Sequence, residues 1–182
     1  MPIADCGFTA RVAVTGTPPT VKVTGGNELL VQKGPTAKVE IGFDASMFPG
    51  GFASITGTTP GNATPTPVAI PTPATPAPAP RVVEALIDTG ACQSCIDEDL
   101  AQQLGLPLID RRAGSGIGGT ETFNVYLGHI RIVDLNFTEY GQFMGVKLTA
   151  GGQPHQALLG RSLLKSMILV YDGRDGTVRL TC

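Results

Sequence analysis

The chain has 182 residues, 42% of them apolar, and carries 13 basic against 15 acidic side chains for a formal net charge of −2. That length fills one ordinary domain core, and a near-balanced charge with no basic cluster beyond Arg111-Arg112 argues against nucleic acid as a partner. No segment approaches the roughly 18 apolar residues of a membrane span, and Met1-Pro2-Ile3-Ala4-Asp5-Cys6 lacks the basic and apolar regions of a secretory leader, so a cytoplasmic protein without membrane attachment is expected.

From Ala10 to Lys33, short alternating runs (Val12, Val14; Val21, Val23; Leu29, Val31) are separated by Thr17-Pro18-Pro19 and Gly25-Gly26-Asn27. Such punctuation is turn chemistry, which predicts two or three short strands and a small β appendage over residues 1–33. Pro35 to Phe43 alternates again, with Ala37, Val39, Ile41 and Phe43 on one face of a strand. The composition then changes: about residues 45–80 are rich in Gly, Thr, Pro and Ala and end in Pro76-Ala77-Pro78-Ala79-Pro80. A proline-rich run lacks the N–H groups a ladder needs and is expected to be extended and solvated. It is either a linker between two domains or a loop between two strands of one domain. The seven residues between Pro80 and Asp88 are too few for a further hairpin and favour the loop, with Ala37–Phe43 pairing with Val82–Ile87.

Glu84-Ala85-Leu86-Ile87-Asp88-Thr89-Gly90-Ala91-Cys92 follows. Here apolar strand residues deliver a carboxylate into a Gly-containing turn, and a strand end is a costly place for an unpaired charge. Next comes a helix: Ser94 is a cap with Asp97 three residues on, Ile96, Leu100 and Leu104 share a helical face, Gly105 suits the position after the helix and Pro107 prevents continuation. Gly114-Ser115-Gly116-Ile117-Gly118-Gly119 is a glycine-rich tip, followed by strand-like residues from Thr122 to Val133. The pattern G-x-G-x-x-G also occurs in dinucleotide sites, but those open a helix and this one opens a strand. Further β pattern covers Leu135–Phe137 and Phe143–Leu148. Ala157-Leu158-Leu159-Gly160-Arg161-Ser162-Leu163-Leu164 runs from a strand into a short helix, and strands Ile168–Tyr171 and Thr177–Thr181 end the chain.

Other chemistry is sparse. Cys6, Cys92, Cys95 and Cys182 do not form a dense disulfide framework, so reduced thiols are expected. Cys92-Gln93-Ser94-Cys95 has the C-x-x-C spacing of redox and zinc sites, but no second pair stands at ligand spacing and His129 and His155 are isolated, so no metal or other cofactor is expected. No Gly-x-Ser-x-Gly elbow anchors a serine triad. The two Asn-x-Thr sites, at Asn62 and Asn136, are expected to be unused without a secretory leader.

Taken in order, with 28 and 72 residues from Asp88 to Gly116 and Gly160, these three segments resemble the retropepsin-like aspartic proteases, single-lobed relatives of the retroviral enzymes. The helix after the turn is closer to the cellular and bacterial branch. The resemblance implies a mostly β acid-protease fold over residues 34–182, as one lobe with one or two short helices. It assigns Asp88 as the catalytic acid, Thr89 to a hydrogen bond across a dimer axis, and Gly90 to close backbone approach. Gly116, Ile117, Gly118 and Gly119 would form a flap over bound peptide, and Leu158, Leu159, Gly160 and Arg161 would support the catalytic turn. In retroviral enzymes acidic residues after the turn receive that arginine. Here Cys92 and Gln93 stand there, so Arg161 needs another acceptor among Asp97, Glu98 and backbone carbonyls. Such catalysis takes two carboxylates about 3 Å apart sharing a proton; with one Asp-Thr-Gly per chain, a two-fold homodimer is implied. The partners expected are a second copy and an extended polypeptide substrate. The alternative is a catalytically silent dimer of the same fold that binds polypeptide without cutting it.

Overall fold

The computed structural model describes residues 2–15, 17, 20–47, 52–53, 67–68, 78–116 and 119–182. The chain starts with β1 (Ile3–Asp5) and a hairpin of β2 (Arg11–Thr15) and β3 (Thr20–Thr24). Then comes α1 (Gly26–Lys33), where alternation had predicted a further strand. Two-residue periodicity would put Leu29 and Val31 on one face. In the helix Leu29 and Leu30 turn inward while Val31 is 83% exposed, and the Glu28 carboxylate caps the start by accepting the Gly25 N–H at 3.2 Å. Burial of Leu30 in the core decides the competition between the two periods.

β4 (Thr36–Gly42) buries Ala37, Val39 and Ile41 and turns Lys38 outward. It pairs antiparallel with β7 (Arg81–Ile87), from Thr36 opposite Leu86 to Ile41 opposite Arg81, the partner that the short spacing between Pro80 and Asp88 favours. The proline-rich tract therefore joins two neighbouring strands of one sheet. Within it the described parts are a 3₁₀ turn at Ala45–Met47 and the paired two-residue strands β5 (Phe52–Ala53) and β6 (Pro67–Val68).

Beyond β7 come β8 (Cys95–Asp97), α2 (Glu98–Gln103), β9 (Leu108–Gly116) and β10 (Gly119–Ile132). β11 (Phe137–Val146), β12 (Ala157–Leu159), α3 (Arg161–Leu164), β13 (Ile168–Asp172) and β14 (Thr177–Thr181) complete the chain. The large sheet has the order β11-β8-β12-β7-β4-β10-β9, and β11 pairs again with β10, which closes the sheet on itself. Val39, Ile41, Ile96, Leu100, Ile130, Ile132 and Leu159 fill the interior with no exposed surface. Burying each such side chain stabilises the fold by roughly 1.5–3 kcal/mol. A second sheet, β1-β14-β13, ties the two ends of the chain together, with Ala4 opposite Leu180 and the Cys6 N–H donating to the Val178 carbonyl at 2.8 Å. The molecule is mostly β with short helices. Among the described residues no helix is long and apolar enough to cross a membrane.

The helix after the turn starts later than its sequence suggests. Ser94-Cys95-Ile96 is drawn into the sheet as β8 and its approach, so the cap is Asp97, whose side chain accepts the Leu100 N–H at 3.2 Å. The other Asp97 oxygen accepts from the N–H groups of Leu148 and Thr149 and from the Thr149 hydroxyl, which explains a carboxylate only 1% exposed. At the other end Gly105 takes φ +60 after the last turn, a left-handed conformation that glycine adopts without penalty.

Candidate active site

β7 alternates Val83, Ala85 and Ile87 into the core and ends by presenting Asp88, half-buried, at the rim. The Asp88 N–H donates to the Leu159 carbonyl at 3.0 Å, so the main chain is anchored to β12 where the side chain leaves it. The turn then folds back on its own acid. Oδ1 of Asp88 accepts the N–H of Gly90 at 2.8 Å and of Ala91 at 3.2 Å, the local geometry that makes Asp a turn residue. Among the described residues Oδ2 has no hydrogen-bond donor. A Cβ at Gly90 would lie 3.1 Å from Oδ1, so glycine there lets the backbone close on the carboxylate. Thr89 and Gly90 are exposed.

A second segment holds the turn from behind. β12 runs parallel to β7, with Leu158 beside Leu86 and Leu159 beside Ile87, and antiparallel to β8, with Leu158 beside Cys95. Wedged between strands on both sides, it delivers Gly160 against the turn. The Gly160 N–H donates to the Ser94 hydroxyl at 3.1 Å, and the Ser94 N–H donates to the Ser162 hydroxyl at 3.1 Å. The N–H groups of Arg161 and Ser162 donate to the carbonyls of Ala91 and Cys92, each at 3.0 Å. A side chain at Gly160 has no room, because its Cβ would sit 2.4 Å from the Gln93 carbonyl oxygen.

Arg161 completes the clasp. Its Nη1 donates to the carbonyls of Thr89 at 2.8 Å and Gly90 at 2.9 Å, and Nη2 points to Cys92 Sγ at 3.0 Å. Of the three acceptors open to it in the sequence, the backbone carbonyls are the ones used. Asp97 is committed to α2 and the 148–149 backbone, and Glu98 accepts from Asn124 and from the Tyr126 hydroxyl. The planar fork suits this geometry, since one guanidinium spans two neighbouring carbonyls.

The four cysteines are free thiols. Cys95 is buried, and burial, with the Asp88 charge adding to it, pushes its pKa up to about 11, so at neutral pH it is a small uncharged wall residue behind the turn. Cys92 is exposed beside Arg161. Among the described residues no group of three or more His, Cys, Asp or Glu side chains could hold a metal ion. His129 and His155 are both buried: His155 Nε2 lies 3.1 Å from the Thr36 hydroxyl, and His129 Nε2 lies 4.0 Å from Glu40.

Of the glycine-rich segment, Gly116 and Gly119 face each other at the end of the β9–β10 hairpin. Ile117 and Gly118 lie outside the described residues. No hydrogen bond among the described residues joins this hairpin to the Asp88 turn. The structure therefore brings Asp88, Thr89 and Gly90 together with Leu159, Gly160 and Arg161, and places the glycine hairpin on a separate arm of β10. It also adds Ser94 and Ser162, a pair that sequence reasoning missed, since they stand 68 residues apart and serine has no signature as a strut.

Residues 80–166 match the family described as gag-polyprotein putative aspartyl protease. No curated protein matches the chain.

Proposed function

We propose, from the match of residues 80–166 to the family described as gag-polyprotein putative aspartyl protease, that the protein is a retropepsin-like aspartic endopeptidase whose working site is completed by a second copy of the same chain. The observation that carries this reading is Asp88 itself. It stands at the end of a strand that turns one face into the core, with one carboxylate oxygen fixed by the Gly90 and Ala91 N–H groups and the turn clasped by Gly160, Arg161 and Ser162. A fixed carboxylate is what a general base needs, because a reacting group off by about 1 Å forfeits much of its rate.

In the dimer, two Asp88 carboxylates about 3 Å apart share one proton, because like charges that close cannot both ionise. The ionised one takes a proton from a water held between them, and that water attacks the scissile carbonyl carbon. The protonated one hydrogen-bonds the carbonyl oxygen and stabilises the negative charge that builds on it. The proton taken from the water then passes to the leaving nitrogen. The two apparent pKa values belong to the pair. Thr89, exposed beside Asp88, meets its symmetry mate across the dimer axis, and the β9–β10 hairpin closes over the peptide and excludes water. The substrate lies as an extended strand between hairpin and dyad, with apolar side chains next to the scissile bond.

The test is a digest of a peptide library between pH 4 and 7 by the wild type and by Asp88→Asn, with the mass in solution measured by sedimentation. Cleavage by the wild-type dimer alone is the expected result. Peptide binding without cleavage by either protein points instead to a silent binding module. A chain that stays monomeric at high concentration and with substrate removes the dyad and the mechanism with it.

A further inference from the structure

Beside the Asp88 turn, between β11 and α3, lies a cavity of about 100 Å³ lined in part by Gln93, Ser94, Glu139, Gln142 and Ser162. Part of its wall is already committed. The Ser94 and Ser162 hydroxyls accept the Gly160 and Ser94 N–H groups, and Gln142 Oε1 accepts from Arg112, whose Nε is paired with Asp110. Glu139 is different: its Oε2 is buried and has no hydrogen-bond partner among the described residues. A buried carboxylate oxygen without a donor is costly, and burial holds the Glu139 pKa above the usual carboxylate range, against the opposing pull of Lys165. Oε2 of Glu139 therefore lacks a donor, preferably a cationic one.

Position indicates where that donor comes from. Gln93 and Ser94 are the continuation of the turn that starts at Asp88, and Ser162 is tied to the same turn through the Cys92 carbonyl. A peptide lying extended past Asp88 sends alternate side chains to one side, and a space of this volume holds one long side chain.

We propose that this cavity is a subsite for a lysine or arginine side chain of the polypeptide substrate, a few residues from the scissile bond, with Glu139 as its counter-charge. This rests on the protease reading and adds a basic requirement to the apolar preference expected next to the cut. The ammonium or guanidinium donates to Oε2, and its aliphatic stem lies along the Phe143 side of the cavity.

The test uses peptides that carry a single lysine or a norleucine at each position within four residues of the cut. kcat/KM is read on the wild type and Glu139→Gln, and Kd on Asp88→Asn and Asp88→Asn/Glu139→Gln. The expected result is a lysine preference of about tenfold at one position, the size of a charge-assisted hydrogen bond. That ratio collapses toward one in both Glu139→Gln proteins. Glu139→Asp, which retracts the carboxylate by one methylene, gives an intermediate ratio and serves if Glu139→Gln melts early. Equal values for lysine and norleucine at every position overturn the proposal, as does a preference that survives Glu139→Gln. If no peptide is cut, the protease reading fails by itself and the Kd ratio still decides the subsite. If no peptide binds, both fail.

Discussion

The guanidinium of Arg161 donates to the Thr89 carbonyl 2.8 Å away and to the Gly90 carbonyl beside it. A charge carried at the start of α3 thus fixes the backbone of a turn 71 and 72 residues earlier. The acid of that turn is held by two of its own N–H groups, so its position is set both from within the turn and from α3.

Replacing Arg161 by lysine leaves one compact charge where a planar fork spanned two carbonyls. Arg161 is exposed, so the stability loss is expected to be small, about 1 kcal/mol by urea denaturation. Peptide turnover is expected to fall about tenfold or more, mostly in kcat, because a displaced turn misplaces the carboxylate without touching the peptide. An unchanged kcat in Arg161→Lys would show that the fork does not position the acid.

Gly160→Ala isolates steric fit from backbone conformation. With φ −84, the residue sits where alanine is at ease, yet the new methyl would meet the Gln93 carbonyl oxygen at 2.4 Å and its carbon at 2.5 Å. Backbone on that side cannot rotate away, so a loss of about 1–3 kcal/mol or more is expected in the denaturation midpoint. Gly141→Ala, whose Cβ meets nothing within 4 Å, is the control and is expected to stay within about 0.5 kcal/mol of wild type. Equal midpoints for the two variants would contradict the close approach at Gly160.

The thiols are expected to divide by environment. Burial holds Cys95 up at about 11 and Cys6 up at about 12, while Cys92 and Cys182 are exposed. Since the thiolate is the reactive species, iodoacetamide at pH 7.5 should alkylate Cys92 and Cys182 in the folded protein and reach Cys6 and Cys95 only after denaturation. Mass spectrometry of digested samples reads this directly. Native-state labelling of Cys95 as fast as Cys92 would mean that β8 opens readily.

The histidines set a pH dependence. Burial holds the pKa values of His129 and His155 below the ordinary 6.5, although Glu40 and Asp44 oppose it at His129 and Glu84 opposes it at His155. A depressed folded pKa means that the unfolded chain takes up the proton first. The stability from neutral imidazoles is therefore complete above about pH 6.5 and is lost as the pH falls below that value. Thermal midpoints are expected to drop between pH 7.5 and 5.5, and His155→Gln, which keeps a polar group for the Thr36 hydroxyl, should flatten part of that drop. A drop of the same size in both proteins would remove His155 from the account.

Much of the molecule was legible in the sequence because the forces that shape it act between near neighbours. Alternation in Ala37, Val39 and Ile41 and in Val83, Ala85 and Ile87 specified two strands, and their pairing was favoured by the seven residues between Pro80 and Asp88, too few for a further hairpin. Asp88 could be placed at a strand end, and Gly105 at a helix end, because a turn acid and a left-handed glycine are local requirements. What lay beyond reach needed partners far along the chain. Leu29 and Leu30 obeyed a helical period because the core needed Leu30. Ser94 left its expected cap to hold Gly160 at a separation of 66 residues, and Arg161 chose carbonyls over Asp97 and Glu98 because both acids were already taken. The Glu139 cavity arises only when β11 is folded beside the Asp88 turn. Sequence periodicity states which face of a strand or helix turns inward, but only packing decides which donor meets which acceptor, because that choice depends on how every competing partner has already been satisfied.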